Sequence, residues 1–175
     1  GGEIYDSGAF VADGCELART KGLCAEYLYP YNVDKVNDDP PEYCDSDAYW
    51  HKCGASYAIT TDALNSVRSC ICKGEPVMLA FGVYRSFSDM PASAIAPIPH
   101  PNNYQSYNDT ADPFEGGHEV TIIGYDDTKQ LLTIANSWGE DWGDKGFFYM
   151  PYAFFNNQSL VYALDVLSAF ETELD

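Results

Sequence analysis

Apolar residues gather in short runs separated by polar turns along this chain. The runs at 119–125 and 131–135 flank the polar turn Asp-Asp-Thr-Lys, a pattern that predicts a β-hairpin. The apolar run at 77–83 predicts a buried strand. Residues 146–150 and 160–167 predict two further strands, the second closing the sheet.

Helical patterns occupy two other stretches of the chain. Apolar residues at 10, 11, 15, 17 and 18 predict a helix that stops at Gly22, the residue type favoured after a helix end. Thr60-Thr61-Asp62 predicts a capped helix that runs to about Cys72 and ends at Lys-Gly-Glu-Pro.

The remaining segments predict irregular structure. Proline, asparagine and aspartate are frequent in 32–54 and 88–115, which we expect to be long surface loops. Residues 151–155 predict a turn or the start of a helix. No internal repeat or linker interrupts the chain, so we expect residues 1–175 to form a single domain.

His118 and Asn136 are the candidate catalytic residues of the predicted hairpin. They stand 18 residues apart, one at the start of the first strand and one at the end of the second. An antiparallel hairpin brings such positions together. A side-chain amide fixes an imidazole ring without adding charge, which suits a thiol nucleophile that ionises readily. Trp138 and Trp142 are expected to shield this contact from water.

The strings Gly-His-Glu-Val and Asn-Ser-Trp-Gly-x-x-Trp-Gly-x-x-Gly resemble the C-terminal half of a papain-like cysteine protease. The segment that begins Lys-Gly-Glu-Pro-Val is similar to the bacterial and viral branches of that family. The resemblance implies an α+β fold, with the sheet-rich lobe of the family and part of its helical lobe. It implies peptide-bond hydrolysis without a cofactor, in which His118 is the general base and acid, Asn136 orients it and Trp138 covers both.

The resemblance also implies glycines that bind the substrate. Ser-Gly-Ala before a helix, followed by Tyr-Pro-Tyr, is similar to the family segment whose glycine pairs with the substrate backbone. We assign that role to Gly8, with Gly2 as the alternative and an ordinary turn as the structural explanation. Gly116 and Gly117 leave room beside His118 and exclude a bulky or charged pocket wall there.

A nucleophilic cysteine is missing from the expected place. In this family the histidine follows the cysteine by about 130 residues or more, so we expect the nucleophile before Gly1 and this chain alone to be inactive. The missing segment is either a separate chain or part of a longer polypeptide. The alternatives are an inactive homologue that serves as a binding or structural module, and an unrelated all-β binding domain in which His118 and Asn136 lie apart.

The resemblance implies a peptide or protein substrate, and the charge of the chain bears on other partners. The net charge of −18 disfavours nucleic acid and anionic membranes and fits either an acidic compartment or simply high solubility. No apolar run approaches the ~20 residues that span a bilayer. We expect no metal, because the cysteines lack ligand spacing.

Six cysteines and two glycosylation sequons, at Asn108 and Asn157, predict a disulfide-containing glycoprotein of the secretory pathway. We expect a lysosomal, vacuolar or extracellular location. The pairing stays open, since six cysteines allow fifteen full pairings and the missing segment is a further source of partners. The start Gly-Gly-Glu, without a signal peptide, predicts processing or truncation.

Overall fold

The computed structural model describes residues 8–168. This part of the chain folds into two compact units. The smaller unit comprises residues 8–56 and 167–168, and the larger one is Tyr57–Val166.

The smaller unit is built on two α-helices. Helix α1 is Val11–Thr20, and the chain leaves it through Gly22, whose N–H donates to the Leu17 carbonyl at 3.1 Å. Gly22 has φ +92°, and a Cβ there would lie 1.8 Å from the Ala48 carbonyl oxygen. The predicted stop of α1 is therefore confirmed, and only glycine fits that position.

Helix α2, Glu42–Ala48, corrects the prediction of an unbroken surface loop over 32–54. Pro41 precedes the helix with φ −59°, and Glu42 and Asp45 lie in its first turn. Proline fixes a helical φ, and carboxylates stabilise the positive end of the helix dipole. The sequence prediction missed the helix because frequent proline, asparagine and aspartate residues in 32–54 favour a loop. A 3-10 turn, Val33–Lys35, precedes the helix.

The larger unit is organised around a six-stranded sheet of order β1-β6-β2-β3-β4-β5. The strands are β1 (Ser56–Ala58), β2 (Val77–Tyr84), β3 (Phe114–Asp126), β4 (Leu131–Ala135), β5 (Phe147–Pro151) and β6 (Val161–Leu167). The pairs β6–β2, β2–β3, β3–β4 and β4–β5 are antiparallel. The predicted hairpin and strands are present, and the last strand lies between β1 and β2.

Helix α3, Ala63–Cys72, packs with β3 and β2. The predicted capping hydrogen bond is absent. Asp62 precedes the helix with φ +45°, and its side chain makes no capping bond. Its carboxylate accepts instead from Asn65 Nδ2 at 3.0 and 3.1 Å. The predicted stop is correct, since the Glu75 N–H bonds to the Cys70 carbonyl after Gly74 at φ +79°.

The core of the larger unit is formed by one face of the sheet. Strand β4 alternates half-buried and buried positions, which is the pattern of a strand with one core face. Fully buried side chains from four strands meet there, namely Leu79, Phe81, Ile122, Leu132, Ile134 and Phe148. Each such side chain contributes about 1.5–3 kcal/mol on burial, so this layer fixes the ends of the strands that carry the candidate site.

The predicted long loop before His118 is shorter than expected at both ends. Helix α4, Arg85–Ser88, follows β2, and β3 already begins at Phe114. The connection between them is held by the buried carboxylate of Asp109, which accepts N–H bonds of 2.8–3.0 Å from Asn103, Ala111 and Asp112. The turn or helix start predicted at 151–155 is a 3-10 helix, Tyr152–Asn156.

Candidate active site

His118 and Asn136 meet at one end of the β3–β4 hairpin. His118 lies in β3 opposite Phe81 of β2, and Asn136 directly follows β4. At the other end, Asp126 Oδ1 accepts the N–H groups of Thr128 and Lys129 at 3.0 Å and closes the turn. His118 Nε2 lies 2.8 Å from Asn136 Oδ1. The contact that the 18-residue spacing predicts is therefore present.

The hydrogen bonds of Asn136 determine the tautomer of the imidazole. Asn136 Oδ1 also accepts the Ser137 N–H at 2.9 Å, which identifies that atom as the amide oxygen. An amide oxygen only accepts, so His118 Nε2 must carry the proton of the shared bond. His118 Nδ1 is then the basic nitrogen of the neutral ring, available to take a proton from another group.

The same amide has one unsatisfied atom. Asn136 Nδ2 is buried and has no hydrogen-bond partner among residues 8–168. Leaving a buried donor unpaired costs about 1–3 kcal/mol. The backbone resists rearrangement, because the Asn136 N–H donates to the Gly146 carbonyl at 3.0 Å. The backbone thus holds the amide beside the imidazole, and a buried donor without a partner is typical of functional sites.

Trp138 covers the imidazole, and Trp142 packs against Trp138. The Trp138 ring stacks on His118 with centroids 4.8 Å apart and planes 29° apart. Its own exposure is 42%, so the indole forms the outer layer over the histidine. Trp142 meets Trp138 edge-on at 5.0 Å and also contacts Phe87 and Phe148. The direct cover is Trp138, while Trp142 anchors it to the core.

Two phenylalanines extend this aromatic cluster and were not among the predicted site residues. Phe81 lies 6.0 Å from the His118 ring, and Phe87 lies 5.8 Å from Trp138 and 5.2 Å from Phe81, all edge-on. Both are buried. Their place depends on the pairing of β2 with β3, which the sequence does not specify. The Tyr-Arg-Ser-Phe string after the apolar run was the one available signal for Phe87.

The glycine pair before His118 leaves space on the sheet. Gly116 has φ +144°, and a Cβ placed there would have no neighbour within 4 Å. Gly117 pairs with Gly82 of β2, and the Tyr162 side chain lies over both: its ring is 3.8 Å from the Cβ position that Gly117 lacks, and its hydroxyl is 2.5 Å from that of Gly82. Substrate binding by Gly116 and Gly117 stays a prediction that this space supports.

Gly8 belongs to the smaller unit and precedes α1. It is exposed, has φ +71°, and a Cβ there would meet nothing within 4 Å. The conformation favours glycine, as either a turn or a substrate-binding segment would. Its proposed role therefore stays a prediction. The alternative, Gly2, lies outside the described residues.

A fixed carboxylate lies next to the glycine pair. Glu115 accepts hydrogen bonds from the Ser88 hydroxyl and from Arg85 Nε. The hydrogen bond from Ser88, followed by the bond and charge of Arg85, lowers the pKa of Glu115. This carboxylate therefore stays ionised and immobile at the start of β3. Among residues 8–168, no group of three or more metal-binding side chains is present.

The two sequons differ in their surroundings. Asn108 is exposed. Asn157 is half-buried, its Nδ2 donates to the Tyr104 hydroxyl at 2.5 Å, and its Oδ1 accepts the Ser159 N–H at 3.0 Å. The nitrogen that a glycan would modify is thus already bonded at Asn157. Glycosylation of either residue stays a prediction.

Residues 7–161 match the family model described as papain family cysteine protease. This chain belongs to the papain family of cysteine proteases. The family fold comprises the α+β architecture described above, so the predicted resemblance and fold class are confirmed.

Relatives of this papain-family chain come from a nematode and a virus. It is 30% identical over 153 residues to cathepsin B-like cysteine proteinase 3 of Ostertagia ostertagi, covering 85% of this chain and 67% of that one. It is 26% identical over 163 residues to an uncharacterised peptidase C1-like protein of Acanthamoeba polyphaga mimivirus, covering 89% of this chain and 50% of that one.

Solved structures show the same fold. Xylellain, a cysteine protease from Xylella fastidiosa, aligns with a TM-score of 0.82 at 29% identity, over 95% of this chain and 64% of that one. Digestive procathepsin L 3 of Tenebrio molitor aligns with a TM-score of 0.66 at 17% identity, over 92% and 49%. The chain therefore spans half to two thirds of these relatives. Its described helices include none that is long and apolar enough to cross a membrane.

Proposed function

We propose that this chain supplies the histidine and asparagine of a thiol protease active site. The observation that carries the proposal is the 2.8 Å contact from His118 Nε2 to Asn136 Oδ1, in which the amide oxygen holds the ring and leaves Nδ1 basic. The stacked Trp138 shields this contact from competing water. The substrate is a peptide or protein.

The proposed reaction uses His118 twice. Nδ1 takes the proton of a cysteine thiol, and the thiolate attacks the carbonyl carbon of the peptide bond. The imidazolium then protonates the leaving amine, and a thioester remains. In the second half, Nδ1 takes a proton from water as the hydroxyl attacks the thioester, and returns it to the cysteine thiolate as the C–S bond breaks and the carboxylic acid leaves. Asn136 keeps the ring in place through both halves.

The nucleophilic sulfur, in this proposal, comes from polypeptide beyond these 175 residues. Cys72 Sγ lies 2.8 Å from the Tyr125 hydroxyl, and Tyr125 is seven residues along β3 from His118, or roughly 23 Å. Cys70 is buried one helical half-turn away, with its sulfur 3.5 Å from the Tyr57 hydroxyl. Neither thiol of the larger unit is therefore placed to give His118 a proton.

Two cysteines of the smaller unit, Cys15 and Cys44, have the wrong environment for a nucleophile. Cys15 and Cys44 are buried, and a buried apolar thiol is unreactive. Burial, followed by a hydrogen bond with Cys24, raises the pKa of Cys44, which opposes formation of a thiolate. A nucleophile needs the opposite shift.

The test is covalent labelling of the native protein with an irreversible thiol-directed peptide epoxide, followed by intact mass of every polypeptide in the sample. We expect the label on a cysteine outside residues 1–175, and no hydrolysis of a fluorogenic peptide by the isolated chain. His118→Ala in the native protein should lower turnover by roughly 10³-fold or more, whereas His100→Ala, at an exposed position, should not. Turnover by the isolated chain, or label on one of its six cysteines, would contradict the proposal.

An inactive homologue that acts as a binding or structural module is the second candidate. The lack of a suitably placed thiol in the larger unit favours it. The retained contact of His118 with Asn136 favours the enzyme, because an inactive relative has no chemical need for an oriented imidazole. Absence of label on every polypeptide of the native sample would establish the second candidate.

We also propose a lysosomal, vacuolar or extracellular location, since two sequons and six cysteines suit the secretory pathway. Detection of an N-glycan on Asn108, by a mass shift on deglycosylation, would support this location. A chain with all six thiols reduced and no glycan in its native source would contradict it.

A further inference from the structure

The segment that follows α1 runs along one face of α2. The Ala25 N–H donates to the Asp47 carboxylate at 2.9 Å, and the Leu23 N–H donates to the His51 carbonyl at 3.2 Å. The N–H groups of Leu23 and Ala25 are therefore both hydrogen-bonded to α2 or to the residues just after it, and residue 24 lies between them. These contacts fix the path of the chain on either side of residue 24.

Cys44 lies on that same face of α2. Asp47 and Ala48 follow Cys44 by three and four positions, which is the spacing of one helix face, and His51 lies just beyond the end of the helix. Gly22 packs directly on the Ala48 carbonyl, so the segment also approaches the C-terminal end of α2 closely. The geometry aims the Cys44 side chain at the segment that carries Cys24.

The two thiols lie close to one another. The side chain of Cys24 interacts with that of Cys44, which is only 3% exposed, while Cys24 is half-buried. Neighbouring thiols need only a small movement to reach bonding distance where backbone contacts on either side hold the two segments together. Two cysteines placed in this way, in a chain with sequons, suit oxidation in a secretory compartment.

We propose that Cys24 and Cys44 form a disulfide in the oxidised protein. The thiolate of Cys24, the more accessible of the two residues, attacks a sulfur of an external disulfide, such as glutathione disulfide, and releases one thiol. The second cysteine then attacks the mixed disulfide and releases another thiol. The chain loses two hydrogens, and the two electrons pass to the external disulfide.

The bond would join the segment of Tyr29-Pro30-Tyr31 to α2. It closes a ring from residue 24 to residue 44 that contains the proline-rich and aspartate-rich stretch 32–41. Such a ring restricts the unfolded chain and holds the exposed aromatic residues of this segment near α2. The proposal is independent of the proposed enzymatic function.

Peptide mapping tests the pairing directly, because trypsin separates the cysteines. Cleavage after Lys21, Lys35 and Lys52 releases peptides 22–35 and 36–52, each with a single cysteine. After incubation of the native protein in a glutathione redox buffer, alkylation and digestion without reductant should yield these two peptides as one species. Its mass should be two hydrogens below their sum, and reduction should split it.

Matched variants show whether the pair is specific. Cys24→Ser should leave Cys44 open to alkylation under denaturing conditions and remove the linked species, while Cys53→Ser should leave the linked species unchanged. Recovery of Cys24 or Cys44 in linkage to another cysteine would overturn the proposal. So would alkylation of both residues in protein that was oxidised and then denatured without reductant. Peptide mapping of the unaltered chain shows whether Cys24 and Cys44 are linked, even where a variant does not fold.

Discussion

At the residue scale, one amide oxygen determines the chemistry of the candidate site. Asn136 Oδ1 accepts from His118 Nε2 and from the Ser137 N–H, so the ring has a single tautomer and a single basic nitrogen. A carboxylate would also hold the ring, but it would bring a negative charge toward a thiolate. The neutral amide therefore suits a reaction whose nucleophile is itself an anion.

Asn136→Ala should show whether Asn136 orients His118 for the reaction or contributes to substrate binding. The substitution leaves the His118 ring without its acceptor, so we expect kcat of the native protein to fall by roughly 10²-fold with little change in KM. Steady-state hydrolysis of a fluorogenic peptide measures both values. Asn156→Ala, at an exposed position of the 3-10 helix Tyr152–Asn156, is the matched control and should leave both unchanged. A kcat equal to that of the unaltered protein would remove Asn136 from the site.

At the element scale, the sequence predicts strands well where apolar runs end in turn residues. The β3–β4 hairpin, β2 and β5 appear close to their predicted places, because local alternation and an Asx-type turn at Asp126 both specify them. Helix α2 was missed, since its acidic and aromatic residues have no apolar period. Its stability comes from contacts with residues 22–25, which are distant in the sequence.

The candidate site was predictable for the same reason that the hairpin was. The spacing of His118 and Asn136 is a local property of two adjacent strands, and the stacking of Trp138 follows from its position two residues after Asn136. The contributions of Phe81 and Phe87 depend on β2, which is 30 or more residues away in the sequence. Long-range pairing of this kind has no signature in a single sequence.

Gly22→Ala tests the packing of α1's end on α2. The new Cβ would lie 1.8 Å from the Ala48 carbonyl oxygen, at a φ that alanine rarely adopts. We expect a loss of unfolding free energy on the order of 2 kcal/mol or more, because clash and strain act together. Urea denaturation followed by circular dichroism measures it.

Gly14→Ala is the control for Gly22→Ala. Gly14 lies exposed inside α1, and a Cβ there would meet no atom within 4 Å. Alanine should stabilise that helix by about 0.5–1 kcal/mol. Equal effects of the two substitutions would show that α1 does not end on α2 as described.

At the scale of the whole molecule, the net charge is −18, so the burial and hydrogen bonding of individual carboxylates affect the stability of the fold. The backbone N–H of Asp112, together with those of Ala111 and Asn103, lowers the pKa of Asp109. Burial raises the pKa of Asp165, which is 8% exposed in β6. These two buried aspartates therefore affect the pH dependence of folding in opposite directions.

The linkage between proton binding and folding gives the sign for each residue. Asp109, with a lowered folded pKa, stabilises the fold above its unfolded pKa of about 3.9, and that contribution is lost as the pH falls through its folded value. Asp165, with a raised folded pKa, destabilises the fold while it is ionised. That penalty disappears as the pH falls through its raised value.

Asp109→Asn and Asp165→Asn should therefore shift stability oppositely at neutral pH. Asp109→Asn replaces Oδ2, the acceptor of the Asn103 N–H, with a donor and should lower the unfolding free energy. Asp165→Asn removes a buried charge and should raise it. Both differences should shrink on acidification, because the unaltered carboxylates then become neutral. Urea unfolding at several pH values between about 7 and about 3 measures the two curves, with the exposed Asp34→Asn as the control. If Asp165→Asn destabilised the protein at neutral pH, the carboxylate would have to serve as an acceptor or ion partner, and burial alone would not explain its raised pKa.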